Sequence, residues 1–211
     1  MRVVLQLLGM VFYPLLVHLL ISLELSWLAV AGLVATSVIY VFLVVSLQRR
    51  TGARPAWIVL YSALAALGVW SLQAGNVYAL FVPSVLINLA LGATFARSLR
   101  PGALPFVEWF VRLEYDGQAP PPRLAAYARR CTATWAVYFA GFALLSLVLA
   151  VTAPLHVWSW VVNVGHYVFA ISMLFLQYLY RSLRLPEYGW RMPWHTLRAM
   201  AHHPWPGAAT R

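Results

Sequence analysis

The chain has 211 residues, of which 63% are hydrophobic and 9% are charged, and its formal net charge is +10. This composition leaves too little polar surface to coat a water-soluble globule, so it excludes an ordinary soluble domain. Every basic residue is an arginine, and all 15 lie outside the apolar stretches. We attribute this charge to membrane topology and to anionic headgroups, and expect no binding of nucleic acid.

Six apolar stretches are long enough to cross the hydrocarbon core of a bilayer, which requires roughly 20 residues in a helix. In chain order they are Val3–Leu23, Leu25–Leu47, Ala56–Gln73, Val77–Ala96, Thr134–Thr152 and Val157–Tyr180. The sequence therefore predicts an all-α, polytopic integral membrane protein with a six-helix transmembrane domain over residues 1–185.

The arginines also predict an orientation. Six spans place both termini on one side, together with the second-to-third and fourth-to-fifth connections, and these parts hold all 15 arginines. The opposite connections hold none: Ser22–Ser26, Ala74–Asn76 and Ala153–His156. Because arginine near a span end resists translocation, we predict cytoplasmic termini in a bacterial inner membrane.

Two segments on the arginine-bearing side are not spans. Within the predicted cytoplasmic loop 97–132, Leu104–Tyr115 has apolar residues at helical spacing and an i,i+4 pair of Glu108 and Arg112. We predict an interfacial helix there, which serves either as a structural surface element or as a docking surface for a partner. Residues 186–211 are predicted to form a cytoplasmic interfacial or disordered tail.

Polar residues inside the spans suggest a polar centre, because a polar side chain in hydrocarbon must find a partner. The candidates come from the first, fourth and sixth spans: Tyr13, His18, Asn88, Asn163 and His166. They form either packing hydrogen bonds between helices or a site for a substrate or proton. Pro14 and Pro83 interrupt corresponding spans of two three-span halves, an arrangement found in transporters.

Motifs of enzymes are largely missing. Asp116-Gly117-Gln118-Ala119 opens like the signature of membrane alcohol phosphotransferases, but Pro120 stands at the arginine position and no further aspartate follows. No phosphate loop or histidine box is present in the sequence. We therefore predict no catalytic residue, no metal site and no cofactor, and only His166 or His18 could act as a base.

From the fourth span onward, scattered short motifs carry a resemblance to a family. They are Asn88-Leu89-Ala90-Leu91-Gly92, Arg97-Ser98-Leu99-Arg100, Pro105-Phe106-Val107-Glu108, Tyr127-Ala128-Arg129-Arg130-Cys131-Thr132, Trp135-Ala136-Val137-Tyr138-Phe139, Asn163 and Gln177-Tyr178-Leu179-Tyr180-Arg181. This part resembles small bacterial inner-membrane proteins associated with fatty-acid-synthase-like gene clusters that make aryl polyene pigments of the xanthomonadin type. The chain departs from that pattern at Gln177 and Ala128, where the family has glutamate and threonine.

The resemblance implies membership of a lipid-like assembly pathway. Our first hypothesis is a non-catalytic accessory that anchors or coordinates acyl-carrier-linked enzymes at the bilayer. Acidic acyl carrier protein, or acyl-processing enzymes, would bind arginines of the loop: Arg97, Arg100, Arg112, Arg123, Arg129 and Arg130. The alternative is a small translocator that passes an acyl or polyene lipid through the polar centre, and a membrane acyltransferase is a distant third. The sequence leaves open whether the protein forms an oligomer.

Overall fold

The computed structural model describes residues 2–51, 55–189 and 194, with side chains described for 12–42, 58–189 and 194. Most of these residues are helical, and none of them forms a strand. The long helices are α1 (Arg2–Ser22), α2 (Ser26–Thr51), α3 (Pro55–Gln73), α4 (Phe81–Ser98) and α6 (Pro122–Thr152). Between the last two lies the short helix α5 (Phe106–Leu113). Near the end, α7 (Leu155–Trp160), a π-helical turn (Val161–Gly165) and α8 (His166–Arg184) follow one another without a break.

Three helical segments in the described part of the chain are long and apolar enough to cross a membrane. They are Tyr78–Ser98, Pro122–Thr152 and Leu155–Arg184. The stretches with described side chains in α1 to α3 are apolar but shorter: Phe12–Ser22, Ser26–Phe42 and Ile58–Gln73. The all-α prediction is confirmed for the described residues, whereas the number of six spans and the orientation of the termini stay predictions.

The outer faces of these helices are apolar. On α6, Val137, Leu144 and Val151 recur every seven residues and are 73%, 62% and 81% exposed. On α8, Val168, Ile171 and Phe175 are exposed as well. Apolar surface on this scale favours a hydrocarbon environment over water.

The chain divides into two compact units. Unit 1 comprises the chain up to Ile87 together with Ala143–His166, and unit 2 comprises Asn88–Phe142 together with the chain after His166. In unit 1, α2 and α3 form an antiparallel pair, in which Tyr40 stacks on Tyr61 with ring centroids 3.9 Å apart. A Cβ at Gly68 would collide with the side chain of Val34, so glycine allows the two helices to approach closely.

In unit 2, α4 and α6 pack closely where Gly92 meets α6. A Cβ at Gly92 would lie 3.3 Å from the backbone nitrogen of Ala140. The small apolar core of this unit is formed by Val111, Leu124, Ala128 and Leu185. These contacts hold α5 and the first turns of α6 together with the end of α8.

The helix predicted over Leu104–Tyr115 is present as α5, and its amino-terminal amides are satisfied by other helices. The amide of Phe106 donates to Ser98 Oγ of α4 at 3.0 Å, and that of Val107 donates to Thr132 Oγ1 of α6 at 3.1 Å. These two hydrogen bonds cap α5 and fix its position within unit 2. After α5, the amide of Gly117 donates to the carbonyl of Arg112, at a backbone φ of +84° that suits glycine.

The predicted tail lies largely outside the described residues. Its first part, Pro186–Tyr188, forms a short 3₁₀ turn. Residues 190–193 and 195–211 fall outside the described part of the chain.

Candidate functional site

The residues predicted to form one polar centre belong to both units. In unit 1, the imidazole Nδ1 of His18 lies 3.0 Å from Ser159 Oγ, and Asn163 Nδ2 donates to that same oxygen at 3.0 Å. Because the serine oxygen accepts from the amide, its hydroxyl hydrogen can be donated to the imidazole. The structure therefore brings His18 and Asn163 together through Ser159.

The other members of the predicted centre are placed differently. Tyr13 is 36% exposed on α1 and makes no hydrogen bond or ring contact within the described residues. His166 is half-buried and begins α8, whereas Asn88 is buried in α4 and belongs to unit 2. Within unit 1, hydrogen bonds join His18, Ser159 and Asn163 into a three-residue network, and the wider centre stays a prediction.

Other serines extend the polar contacts of unit 1. Ser84 Oγ lies 2.8 Å from Ser146 Oγ, which links α4 to α6. The indole of Trp158 donates to the carbonyl oxygen of Ser146 at 3.2 Å. Short hydroxyl side chains in apolar helices are the residues that stabilise close helix packing in this way. These contacts join helices of unit 1 through hydrogen bonds.

The predicted docking arginines divide into partnered and unpartnered groups. Arg112 pairs with Glu108 at 2.8 Å, and Arg123 pairs with Glu187 at 2.8 Å. Arg129 donates to the carbonyl oxygen of Leu99. The guanidinium groups of three exposed residues make no ion pair or hydrogen bond within the described part of the chain: Arg97, Arg100 and Arg130.

The apolar face predicted for the interfacial helix points toward other helices of unit 2. Phe106 packs on Phe95 of α4 with ring centroids 4.5 Å apart, and on Phe110 at 5.4 Å. Glu108, which was assigned to the polar face, is only 8% exposed. The pair of Glu108 and Arg112 is present as predicted, but it lies against the protein.

Unit 2 also contains a cavity of about 430 Å³ at the meeting point of α4, α5, α6 and α8, which we call the aromatic cavity. Its walls are formed mainly by aliphatic and aromatic side chains: Leu91, Phe95, Phe106, Val107, Phe110, Val111, Trp135, Phe139, Leu174 and Tyr178. Its polar lining consists of Glu114, Tyr127, Cys131, Gln177 and Arg181. Concave apolar sites of this size with a few polar groups are typical of small-molecule binding sites.

Two of these polar groups form a buried ion pair. Arg181 Nη2 donates to Glu114 Oε2 at 2.9 Å, and the two side chains are 3% and 2% exposed. Arg181 Nε, which is buried as well, has no hydrogen-bond partner among the described residues. Residues 67 positions apart form this pair. Sequence analysis did not predict this pair, because it used Arg181 only as one of the topology-setting arginines and as the end of the motif Gln177-Tyr178-Leu179-Tyr180-Arg181.

Gln177 is held by two aromatic residues of α6. The indole of Trp135 donates to Gln177 Oε1 at 2.9 Å, and the Tyr127 hydroxyl donates to the Gln177 backbone carbonyl. These contacts fix α8 against α6 beside the cavity. Within the described residues, no group of three His, Cys, Asp or Glu side chains is placed to hold a metal ion.

No protein-family model, curated protein or solved structure matches the chain.

Proposed function

We propose that the protein is a non-catalytic membrane accessory of acyl-chain assembly, which anchors or coordinates acyl-carrier-linked enzymes at the bilayer. The observation that carries this proposal is the set of exposed arginines without a partner in unit 2, Arg97, Arg100 and Arg130. Acyl carrier proteins are acidic, so such a surface would accelerate their encounter with the membrane protein. The resemblance to proteins of aryl polyene gene clusters supports a place in the assembly of a polyene lipid.

The orientation belongs to the same proposal. With six spans and both termini in the cytoplasm, the arginines of the fourth connection would face cytoplasmic enzymes in a bacterial inner membrane. Reporter fusions after Arg123 should report the cytoplasm, and fusions near Asn76 and Pro154 should report the periplasm. A cytoplasmic signal at Pro154 would contradict the six-span arrangement.

The docking test compares two sets of arginines. The triple variant Arg97→Gln, Arg100→Gln and Arg130→Gln removes charges without a partner, whereas Arg112→Gln with Arg123→Gln removes charges already paired with glutamate. Each exposed arginine should contribute roughly 0.5 kcal/mol to the binding free energy. The triple variant should therefore bind an acidic acyl carrier protein about tenfold more weakly.

The measurement is the affinity of the full chain in nanodiscs for the carrier protein, taken between about 0.05 and 0.5 M salt. We expect steep weakening with salt for the wild type and a shallower slope for the triple variant. The paired-arginine variant should resemble the wild type. Binding that does not depend on salt, or an unaffected triple variant, would contradict electrostatic docking.

The polar contacts of unit 1 favour this function over translocation or acyl transfer. His18, Ser159 and Asn163 hydrogen-bond to one another, which supports a packing role instead of a path for lipid. Ser159 lies beside a histidine as a nucleophile would, but it is 0% exposed and its oxygen already accepts from Asn163 Nδ2.

A further inference from the structure

The aromatic cavity combines an apolar wall with one unsatisfied hydrogen-bond donor. Arg181 lines the cavity, its side chain is 3% exposed, and its Nε has no partner among the described residues. A buried N–H without an acceptor is costly, because it gives up its hydrogen bond to water and gains nothing in return. An acceptor atom supplied by a ligand in the cavity would remove this cost.

The ion pair in the cavity limits which head group a ligand can carry. Glu114 Oε2 already accepts from Arg181 Nη2 at 2.9 Å, so the positive charge is balanced within the protein. A ligand carboxylate would add a negative charge in a buried place that already holds one, and such a charge is expensive to desolvate. An uncharged carbonyl oxygen accepts from Arg181 Nε without adding charge.

The apolar walls of the cavity indicate the chemistry of the ligand's chain. Aromatic rings from three helices, including Phe95, Phe110 and Trp135, surround a space of about 430 Å³. This volume suits a chain-like hydrocarbon and is too small for a folded partner. We infer that the aromatic cavity binds the acyl chain of an uncharged ester or thioester, whose carbonyl oxygen accepts a hydrogen bond from Arg181 Nε.

The test uses fluorescent conjugated chains that differ only in the head. The full chain is placed in nanodiscs of diether lipids, which carry no ester carbonyl, and is titrated with the methyl ester of parinaric acid. The same titration is made with the matched methyl ether, which lacks the carbonyl, and with the ionised acid. The ester should bind saturably and about tenfold more tightly than the ether, the value of one hydrogen bond. The ionised acid should bind more weakly than the ester.

Variants of α8 locate the bound chain. Leu174 lines the aromatic cavity, whereas Ile171 on the same helix is 54% exposed and lies outside it. Leu174→Trp should weaken both the ester and the ether at least tenfold, and the matched control Ile171→Trp should change neither. Normal ester binding to Leu174→Trp would overturn the assignment of the cavity.

The carbonyl contact is tested with the double variant Arg181→Met and Glu114→Gln, which removes both charges together and so avoids leaving one buried alone. It should bind the ester as weakly as the ether. Unchanged preference for the ester would overturn the role of Arg181, and tighter binding of the ionised acid than of the ester would overturn the uncharged head.

The source of the ligand is distinguished by repeating the titration in diester nanodiscs. Competition there would assign the site to the ester of a membrane lipid. Undiminished probe binding would assign it to an acyl ester or thioester delivered from outside the bilayer. Neither result bears on the docking proposal, which is tested separately by the salt dependence of carrier-protein binding.

Discussion

The two units bury polar groups in different ways. In unit 1 a serine hydroxyl connects two polar side chains: Ser159 Oγ lies 3.0 Å from both His18 Nδ1 and Asn163 Nδ2. In unit 2 the buried groups include charged ones, and Arg181 is paired with Glu114 but keeps an unpartnered Nε. The serine network supplies its own hydrogen-bond partners, whereas a buried donor without an acceptor can take one from a ligand.

The largest effect is expected from separating the charges in unit 2. Glu114→Gln alone leaves Arg181 buried without a counter-charge and should lower the free energy of unfolding by about 3–5 kcal/mol. Arg181→Met together with Glu114→Gln should restore most of that loss, because no isolated charge remains. Chemical denaturation in mild detergent measures both. Equal stability of the single and double variants would mean that the pair is not buried as a unit.

A smaller effect is expected where α4 meets α6. Gly92→Val would push against the backbone of α6 near Ala140 and should cost about 1–3 kcal/mol of stability. The matched control is Gly141→Ala on α6, where a Cβ meets nothing within 4 Å. The control should be no less stable than the wild type, since alanine is the better helix former. A tolerated Gly92→Val would show that the helices can separate there at little cost.

The hydrogen-bonded network of His18, Ser159 and Asn163 in unit 1 should respond more weakly. His18→Leu and Asn163→Leu should each cost about 0.6–2 kcal/mol, the range for hydrogen bonds between membrane helices. Since both side chains share Ser159, their effects should be non-additive in a double-mutant cycle. Additive losses would show that the shared serine does not connect them.

The smallest effect is expected at the exposed ion pair of unit 2. Arg123 and Glu187 lie 2.8 Å apart, but their side chains are 72% and 39% exposed. Glu187→Gln should therefore change stability by less than about 1 kcal/mol, because water and salt screen the pair. Comparing Glu187→Gln with Glu114→Gln measures the effect of burial on otherwise similar arginine–glutamate pairs.

Hydropathy predicted the helices well where they are apolar on all sides. The predicted span Ala56–Gln73 corresponds to α3 (Pro55–Gln73), and Val77–Ala96 overlaps α4. The helix α6 begins 12 residues before its predicted span, at Pro122. Its first turns carry arginines, which lower the local hydropathy, while Leu124 and Ala128 on the other side are buried. The helix extends farther than its apolar stretch.

The candidate site was predicted less completely. His18 and Asn163 were recognised because a polar side chain within an apolar stretch is visible in the sequence. The pair of Glu114 and Arg181 joins residues 67 positions apart, and no local pattern reports such a contact. A cavity leaves no periodic signal either, because it depends on how four helices fail to fill the space between them. The small number of acidic residues was the usable clue, since a buried carboxylate requires a cation.

Three side chains between α6 and α8 form part of the walls of two neighbouring spaces in unit 2. Tyr127, Cys131 and Gln177 line the aromatic cavity, and they also line a larger groove of about 920 Å³ along α6 and α8. A ligand that displaces one of these side chains changes the wall of both spaces. To the extent that binding in one space alters affinity in the other, the coupling is reciprocal: a lipid in the groove changes the affinity of the cavity by the same factor as a cavity ligand changes the affinity of the groove.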